Sequence, residues 1–279
     1  MAVLLFFLAQ SIWFHHPSCR FFFLPLFSLW KREVVRFFRQ PSRVIGALGT
    51  PLIFWFFMGS GFGNSFRAGL GPGNRDYLAY FFPGSILMVL LFASIFSNMA
   101  LIEERREGFL LGVLVAPLSR LSLVLGKIMG VTTLAVLQGS VFLFLAPFLG
   151  ISLNFFQLSF VWSIMILISL AVSSLGFAFA WHLDSIQGFH AVMNMVLVPM
   201  WLLSGALFPL SGASAWVRLI MLVNPLTYGM TALRQSLYLS QPYPENLEIC
   251  SLPWAIGITI VFGATLILVS CLLANRKRI

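Results

Sequence analysis

Glu103-Glu104-Arg105-Arg106-Glu107 is the densest run of charge in a chain of 279 residues of which only 9% are charged. Paired carboxylates are one set of residues able to do chemistry. His190 and Asn194, one helical turn apart on a later apolar run, would complete the residue types of a metal-dependent intramembrane peptidase. That pattern asks for an Arg four residues after the second Glu, where Gly108 stands, and for a Phe four residues before the His, where Ile186 stands. Ser204-Gly205 is of the type of an intramembrane serine nucleophile. All four histidines (His15, His16, His182 and His190) precede it, and nucleophilic catalysis needs a base within reach. No catalytic or metal-ligating residue is assigned. The charge cluster suits a mechanical task instead. It lies between two long apolar runs, and hydrocarbon does not hold such charge, so it sits at a membrane surface. It opens a short helical element, Glu103 to Pro117, which ends at Ala116-Pro117 because proline lacks a donor and restricts the residue before it. A short charged helix between two membrane spans is a handle on which something outside the membrane can push.

The elements that position this handle follow from composition. The chain is 59% hydrophobic with a mean hydropathy of +0.96, and several of its apolar runs approach the ~20 residues that cross a bilayer. The expected fold is all-α and integral to the membrane, with six transmembrane helices near 44–62, 77–101, 122–149, 158–181, 186–203 and 254–274. The net charge of +9 sits at the ends of apolar runs, where it sets topology, and nucleic acid is not an expected partner. Cys19, Cys250 and Cys271 have no pair spacing, so neither a disulfide framework nor a metal motif follows. The one Gly-Lys pair, Gly126-Lys127, is followed by Ile128. The chain thus lacks a phosphate-cradling loop, and any ATP that drives it binds to another chain.

Residues 1–26 form an N-terminal extension too broken to span and unlike a signal peptide, and 27–279 a single membrane domain. On a helical wheel Phe27, Trp30, Val34, Phe37 and Phe38 share one arc, while Arg32, Arg36, Arg39 and Arg43 face the other way. That predicts an amphipathic helix lying in the membrane interface. From Ser204 to Pro253 the chain is punctuated by Gly and Pro, and its short helices are expected to re-enter or lie on the membrane, with protein or water covering their backbone. Asn98, Gln138 and Asn194 are the polar candidates for a pathway through the spans, although such residues more often hydrogen-bond between helices.

Two stretches carry a family resemblance. Glu107-Gly108, Leu114, Pro117-Leu118-Ser119-Arg120 and Gly126-Lys127 resemble, in order, the cytoplasmic coupling segment of the type 2 ATP-binding-cassette (ABC) exporter permeases. Phe109 and Leu111 stand where Thr and Glu are usual. Asn224-Pro-Leu-Thr-Tyr-Gly-Met-Thr-Ala-Leu-Arg234 is similar to the segment after the fifth span of the same family, so the likeness runs from about Phe27 to the C-terminus. The resemblance implies the membrane subunit of a drug- or polysaccharide-type exporter. Its partners would be a second permease chain, the same or different, two separate ATPase chains that hold ATP and Mg, and membrane lipid. Glu103, Glu104, Glu107, Gly108, Phe109, Leu110, Leu114, Pro117 and Arg120 would dock the ATPase, together with the interfacial helix at Trp30, Arg32, Arg36, Phe37 and Arg39. Phe208, Pro209, Asn224, Pro225, Tyr228 and Arg234 would form an outer gate.

Orientation follows from Lys and Arg. Thirteen lie in the N-terminal region, the coupling stretch and the C-terminal tail, against Arg67, Arg75, Arg218 and Arg234 elsewhere. Positive residues mark the cytoplasm, which puts both ends inside an inner (plasma) membrane. The spans bury almost no ionisable residue. That counts against the competing class, an ion-gradient-driven carrier, and favours an amphiphilic or lipid-like cargo.

Overall fold

The computed structural model describes residues 17–39, 41–62, 77–109, 112, 119–151, 153–239 and 249–275, and within them the chain is helical with no strand. Nine α-helices are labelled here in chain order: α1 Pro17–Phe38, α2 Pro41–Phe62, α3 Tyr77–Arg106, α4 Arg120–Leu143, α5 Phe155–His182, α6 Ile186–Trp201, α7 Ala215–Val223, α8 Pro225–Leu237 and α9 Leu252–Asn275. α3, α4, α5, α9 and the run Ile186–Ala206 are long and apolar enough to cross a membrane. α2 carries a shorter apolar stretch, Leu48–Met58.

α3 is the central post. It packs against α2, α4, α5 and α6, and Phe81, Phe82, Ile86, Leu87, Leu90 and Ile95 on it are fully buried. α5 joins α4, α8 and α9, and α1 lies along α4. One end of the bundle gathers the charged termini: the end of α3, the start of α4, the α5–α6 turn and the end of α9. Arg105 reaches the α5–α6 turn there, and Arg120 the end of α9. The opposite end holds Tyr77, the break after α6, the end of α8 and the start of α5, tied by Tyr77 to Leu207 and by Gln157 to Leu237.

Four sequence-based boundaries change. α1 begins at Pro17, so residues 17–26, expected as extension, run continuously into the amphipathic helix. α3 continues through Glu103–Arg106, so the charge cluster ends the second span instead of opening a separate coupling helix. Gly108 then takes φ 77°, a left-handed value that suits only glycine and ends a helix. Beyond it Phe109 and Gly112 are helical, while Leu110, Leu114 and Pro117 lie outside the described residues, as do most of the extension and the basic tail at 276–279. The expected third span, 122–149, divides into α4 and a 3₁₀ turn, Ala146–Leu149. Pro147 at the start of that turn has no amide hydrogen to give the helix ladder. α6 stops at Trp201 and passes into a π segment, Leu202–Ala206, with Gly205 at φ 82°.

Candidate coupling and gating sites

The charged end is built on α1. Gly126 and Gly130, one helical turn apart on α4, let α1 approach closely. A Cβ at Gly130 would stand 2.7 Å from Glu33 Cβ, and one at Gly126 would stand 3.0 Å from the Leu26 carbonyl. Small residues at this spacing are the usual means of close helix contact in membranes. Leu29 and Phe37 are buried on the same side, and Trp30 Nε1 donates to Thr133 Oγ1 at 3.0 Å.

Close approach allows three helices to share six charges. Glu104 on α3 is fully buried. Its Oε1 pairs with Arg32 at 2.6 Å and with Arg36 at 2.9 Å, and its Oε2 accepts from Lys127 of α4. Lys127, itself 3% exposed, also donates to the buried Glu33 of α1. Arg36 reaches Glu103 at 2.8 Å. Three cations face three carboxylates, so the set is neutral, which is what a dry site demands of buried charge. The Arg32 guanidinium also lies 3.5 Å from the Phe109 ring centroid, a cation–π contact that holds the residue after Gly108 against α1.

The sequence-predicted docking residues therefore divide. Glu103 and Glu104 are turned into the chain, where they fix the angle between α1 and α3. Glu107 is exposed at the tip, Gly108 makes the turn, and Phe109 is part-covered by Arg32. Arg120 is turned onto the end of α9. Of the interfacial set, Arg39 is exposed, while Arg32, Arg36, Trp30 and Phe37 all engage other helices. Arg32 and Arg36 of the expected arginine arc thus turn inward, while Arg39 stays exposed. Sequence reasoning assigned no role to Glu33, and to Lys127 only its place in the Gly126-Lys127 pair of the coupling-segment resemblance. A signal existed: Glu33 is the one acidic residue before Asp76, and Lys127 stands inside an apolar run.

At the opposite end the π segment leaves carbonyls without helical partners, and other elements supply donors. Asn224 Nδ2 donates to Met200 O at 2.6 Å and to Leu203 O at 3.2 Å, while its Oδ1 accepts from Leu226 N and caps α8. Pro225 takes the first helical position, where its missing N–H costs nothing. Arg234, buried and stacked 4.4 Å from the Tyr80 ring centroid, donates to Gly205 O at 2.7 Å, as does Tyr80 Oη at 3.0 Å. Tyr77 reaches Leu207 O, and Trp201 Nε1 reaches Gly84 O at 2.9 Å. Irregular backbone at membrane depth persists only when its polar groups are covered in this way. Phe208 and Pro209 are half-buried in the link between the π segment and the next turn, and Tyr228 bonds Leu222 O at 2.8 Å. The six residues expected at the outer gate therefore belong to one region, with Asn224 and Arg234 gripping the break directly. Tyr80 and Trp201 were missed, since nothing in the sequence pairs them with Gly205 and Gly84.

The candidate pathway residues do not converge. Asn98 is buried and donates to Ser94 O at 2.8 Å and Ser173 O at 3.4 Å, a tie between α3 and α5. Gln138 donates to Leu134 O of its own helix at 3.3 Å. Asn194 is exposed on α6. Among the described residues no three of His, Cys, Asp and Glu gather as metal ligands, and His190 sits against the ring of Phe96.

Residues 25–238 match the family described as ABC-2 type transporter. The chain belongs to the ABC-2 type transporter family. It is 31% identical over 221 residues to the provisionally named transport permease ycf38 of Cyanophora paradoxa, covering 77% of this chain and 74% of that one. It is 26% identical over 223 residues to Nodulation protein J of Neorhizobium galegae, covering 78% of this chain and 82% of the relative. As an ABC-2 permease with several membrane-crossing helices it is a multi-pass membrane protein. Permeases of this family generally work with an ABC ATPase subunit. The coupling-segment resemblance thus led to the right family.

Proposed function

We propose that this permease is the membrane half of an ATP-driven exporter, moving an amphiphilic or lipid-like substrate out of the cytoplasm. Two ATPase subunits, holding ATP and Mg, dock at the charged end. A second permease chain completes the pathway, and α2 crosses the membrane as a sixth span beside the five long helices. The charged end faces the cytoplasm with both chain termini, in an inner (plasma) membrane, because the basic residues concentrate there.

The observation that carries this reading is the exposed Glu107-Gly108-Phe109 tip at the end of α3, braced on α1 by the neutral ion cluster. Glu107, Phe109 and the adjoining Leu110, Leu114 and Pro117 form the docking contact. Glu103, Glu104, Arg32, Arg36 and Lys127 make α1, α3 and α4 move as one lever when the ATPases close. Cargo affinity must differ between the two end states for this motion to do work. The region from Phe208 to Arg234 closes the outer mouth.

The test is co-purification in mild detergent of the tagged chain with its ATPase subunit, compared with Glu107→Lys. Co-elution that the substitution abolishes, with insertion and folding intact, is the expected result. Normal export by Glu107→Lys removes the docking assignment, and a folded, monodisperse chain with no ATPase partner removes the exporter reading.

A further inference from the structure

Three arginines next to the docking tip do something that the ion cluster does not. A helix C-terminus leaves its last carbonyls without partners, and a guanidinium, with five donors in a planar fork, can take several at once. Arg105 does this for α5. It donates to Ala180 O at 3.0 Å, Trp181 O at 2.6 Å and Leu183 O at 3.4 Å, and also to Asp184 Oδ1 at 3.0 Å. Its guanidinium carbon lies 5.7 Å from the Trp181 ring centroid. Arg106 adds a bond from Nε to Asp184 O at 3.0 Å. Arg120 does the same for α9, with Nη1 donating to Ala274 O at 2.8 Å and Asn275 O at 3.1 Å. Cations at these ends also complement the helix dipoles.

The positions of the three matter. Arg105 and Arg106 are the last residues of α3 and Arg120 is the first of α4, so they bracket the docking segment on both sides. Each reaches a helix far away in sequence, across 75 to 79 residues for Arg105 and 154 or 155 for Arg120. We propose that Arg105 and Arg120 are positioning residues: clamps that fasten the inner ends of α5 and α9 to the docking segment, so that a displacement of its tip moves four spans together. Arg106 and Asp184 bring the start of α6 into the same body. The inference rests on the docking reading above and names the route by which motion leaves that site. Carbonyl capping is directional, and lysine's three donors radiate from one nitrogen, so Arg105→Lys keeps the charge but cannot span acceptors spread from Ala180 to Asp184.

The experiment uses the full chain with its ATPase, with Cys19, Cys250 and Cys271 changed to Ser and spin labels at His182→Cys and Leu121→Cys, both exposed sites. The distance between the labels reports whether the inner ends of α4 and α5 travel together. With Arg105 present the distance is expected to stay constant between the nucleotide-free and ATP-trapped complexes. With Arg105→Gln it should broaden and change with nucleotide, and substrate export should fall at least tenfold while the ATPase still co-elutes and hydrolyses ATP. Arg105→Lys should keep the fold and the charge but not the constant distance. A label at Leu272→Cys in place of His182→Cys tests Arg120→Gln in the same way. Export and label distances unchanged in Arg105→Gln overturn the inference, as does a native distance that varies with nucleotide. If no ATPase binds the native chain, the docking reading fails separately. The isolated chain then decides the clamp: an unbroadened distance in Arg105→Gln overturns it.

Discussion

Glu104→Gln removes one charge from the ion cluster and nothing from its shape. Glu104 is fully buried and holds Arg32, Arg36 and Lys127 at once. After the substitution Arg36 keeps Glu103 and Lys127 keeps Glu33, while Arg32 loses its carboxylate and the set carries one uncompensated positive charge. Removing one partner of a buried ion pair costs about 3–5 kcal/mol, because the remaining charge stays desolvated. Arg32 is one-third exposed and recovers part of this from water, so the expected loss is at the lower end, about 3 kcal/mol. At about 2–4 °C per kcal/mol for a chain approaching this size, the melting temperature in detergent should fall by roughly 6–12 °C. Lys127→Met alone should cost a similar amount by leaving Glu33 and Glu104 over-supplied with negative charge. Together the two substitutions restore the net balance of the set, two arginines against two glutamates, with Arg36 still on Glu103 and Glu33 without its Lys127 contact. The double variant should therefore lose less than the sum of the two single losses, by about 1–3 kcal/mol. The assay is a four-corner thermal-unfolding cycle, read in parallel by ATPase co-elution. Additive losses in the double variant would show that the charges do not act as one set and would refute the neutrality argument.

At the opposite end, Gly84→Ala should lower the melting temperature by several degrees, equivalent to about 1–3 kcal/mol of overpacking. Its new Cβ would stand 2.9 Å from Ala206 Cβ and 3.0 Å from Ala206 O, neither of which can swing away; a melt unchanged within error would mean that the break after α6 is not held tightly against α3. Asn224→Ala should cost about 2–3 kcal/mol by losing the α8 cap and orphaning the Met200 and Leu203 carbonyls. Asn224→Asp should retain the cap but not the donations, so a calorimetric loss smaller than that of the Ala variant, though not zero, separates the two contributions.

Much of the architecture could be read from local pattern. Apolar runs near twenty residues long mark α3, α5 and α9, because a helix that faces hydrocarbon needs no partner to declare itself. Gly and Pro predicted the broken region after α6, because ring constraints and caps, such as Pro225 and Asn224 at the start of α8, act within a few residues. The Glu103–Glu107 cluster pointed to the charged end of the bundle. Its helical boundary was misplaced, because tertiary packing let α3 continue through four charged residues whose carboxylates and guanidiniums find partners elsewhere.

The sequence by itself determined that this is a helical membrane protein, where its chain breaks, and that charge collects beside Gly108. Those properties follow from hydropathy and backbone stereochemistry, which each residue carries with it. Only the tertiary structure decided which charges meet. Glu33 finds Lys127 across 94 residues, and Arg120 finds Ala274 across 154. A helical wheel ranks faces by polarity alone, and so it turned Arg32 and Arg36 toward water. The six charges meet one another instead: Gly126 and Gly130 bring α1 close enough to α4 for Glu33 to reach Lys127, and Arg32 and Arg36 reach Glu104 of α3.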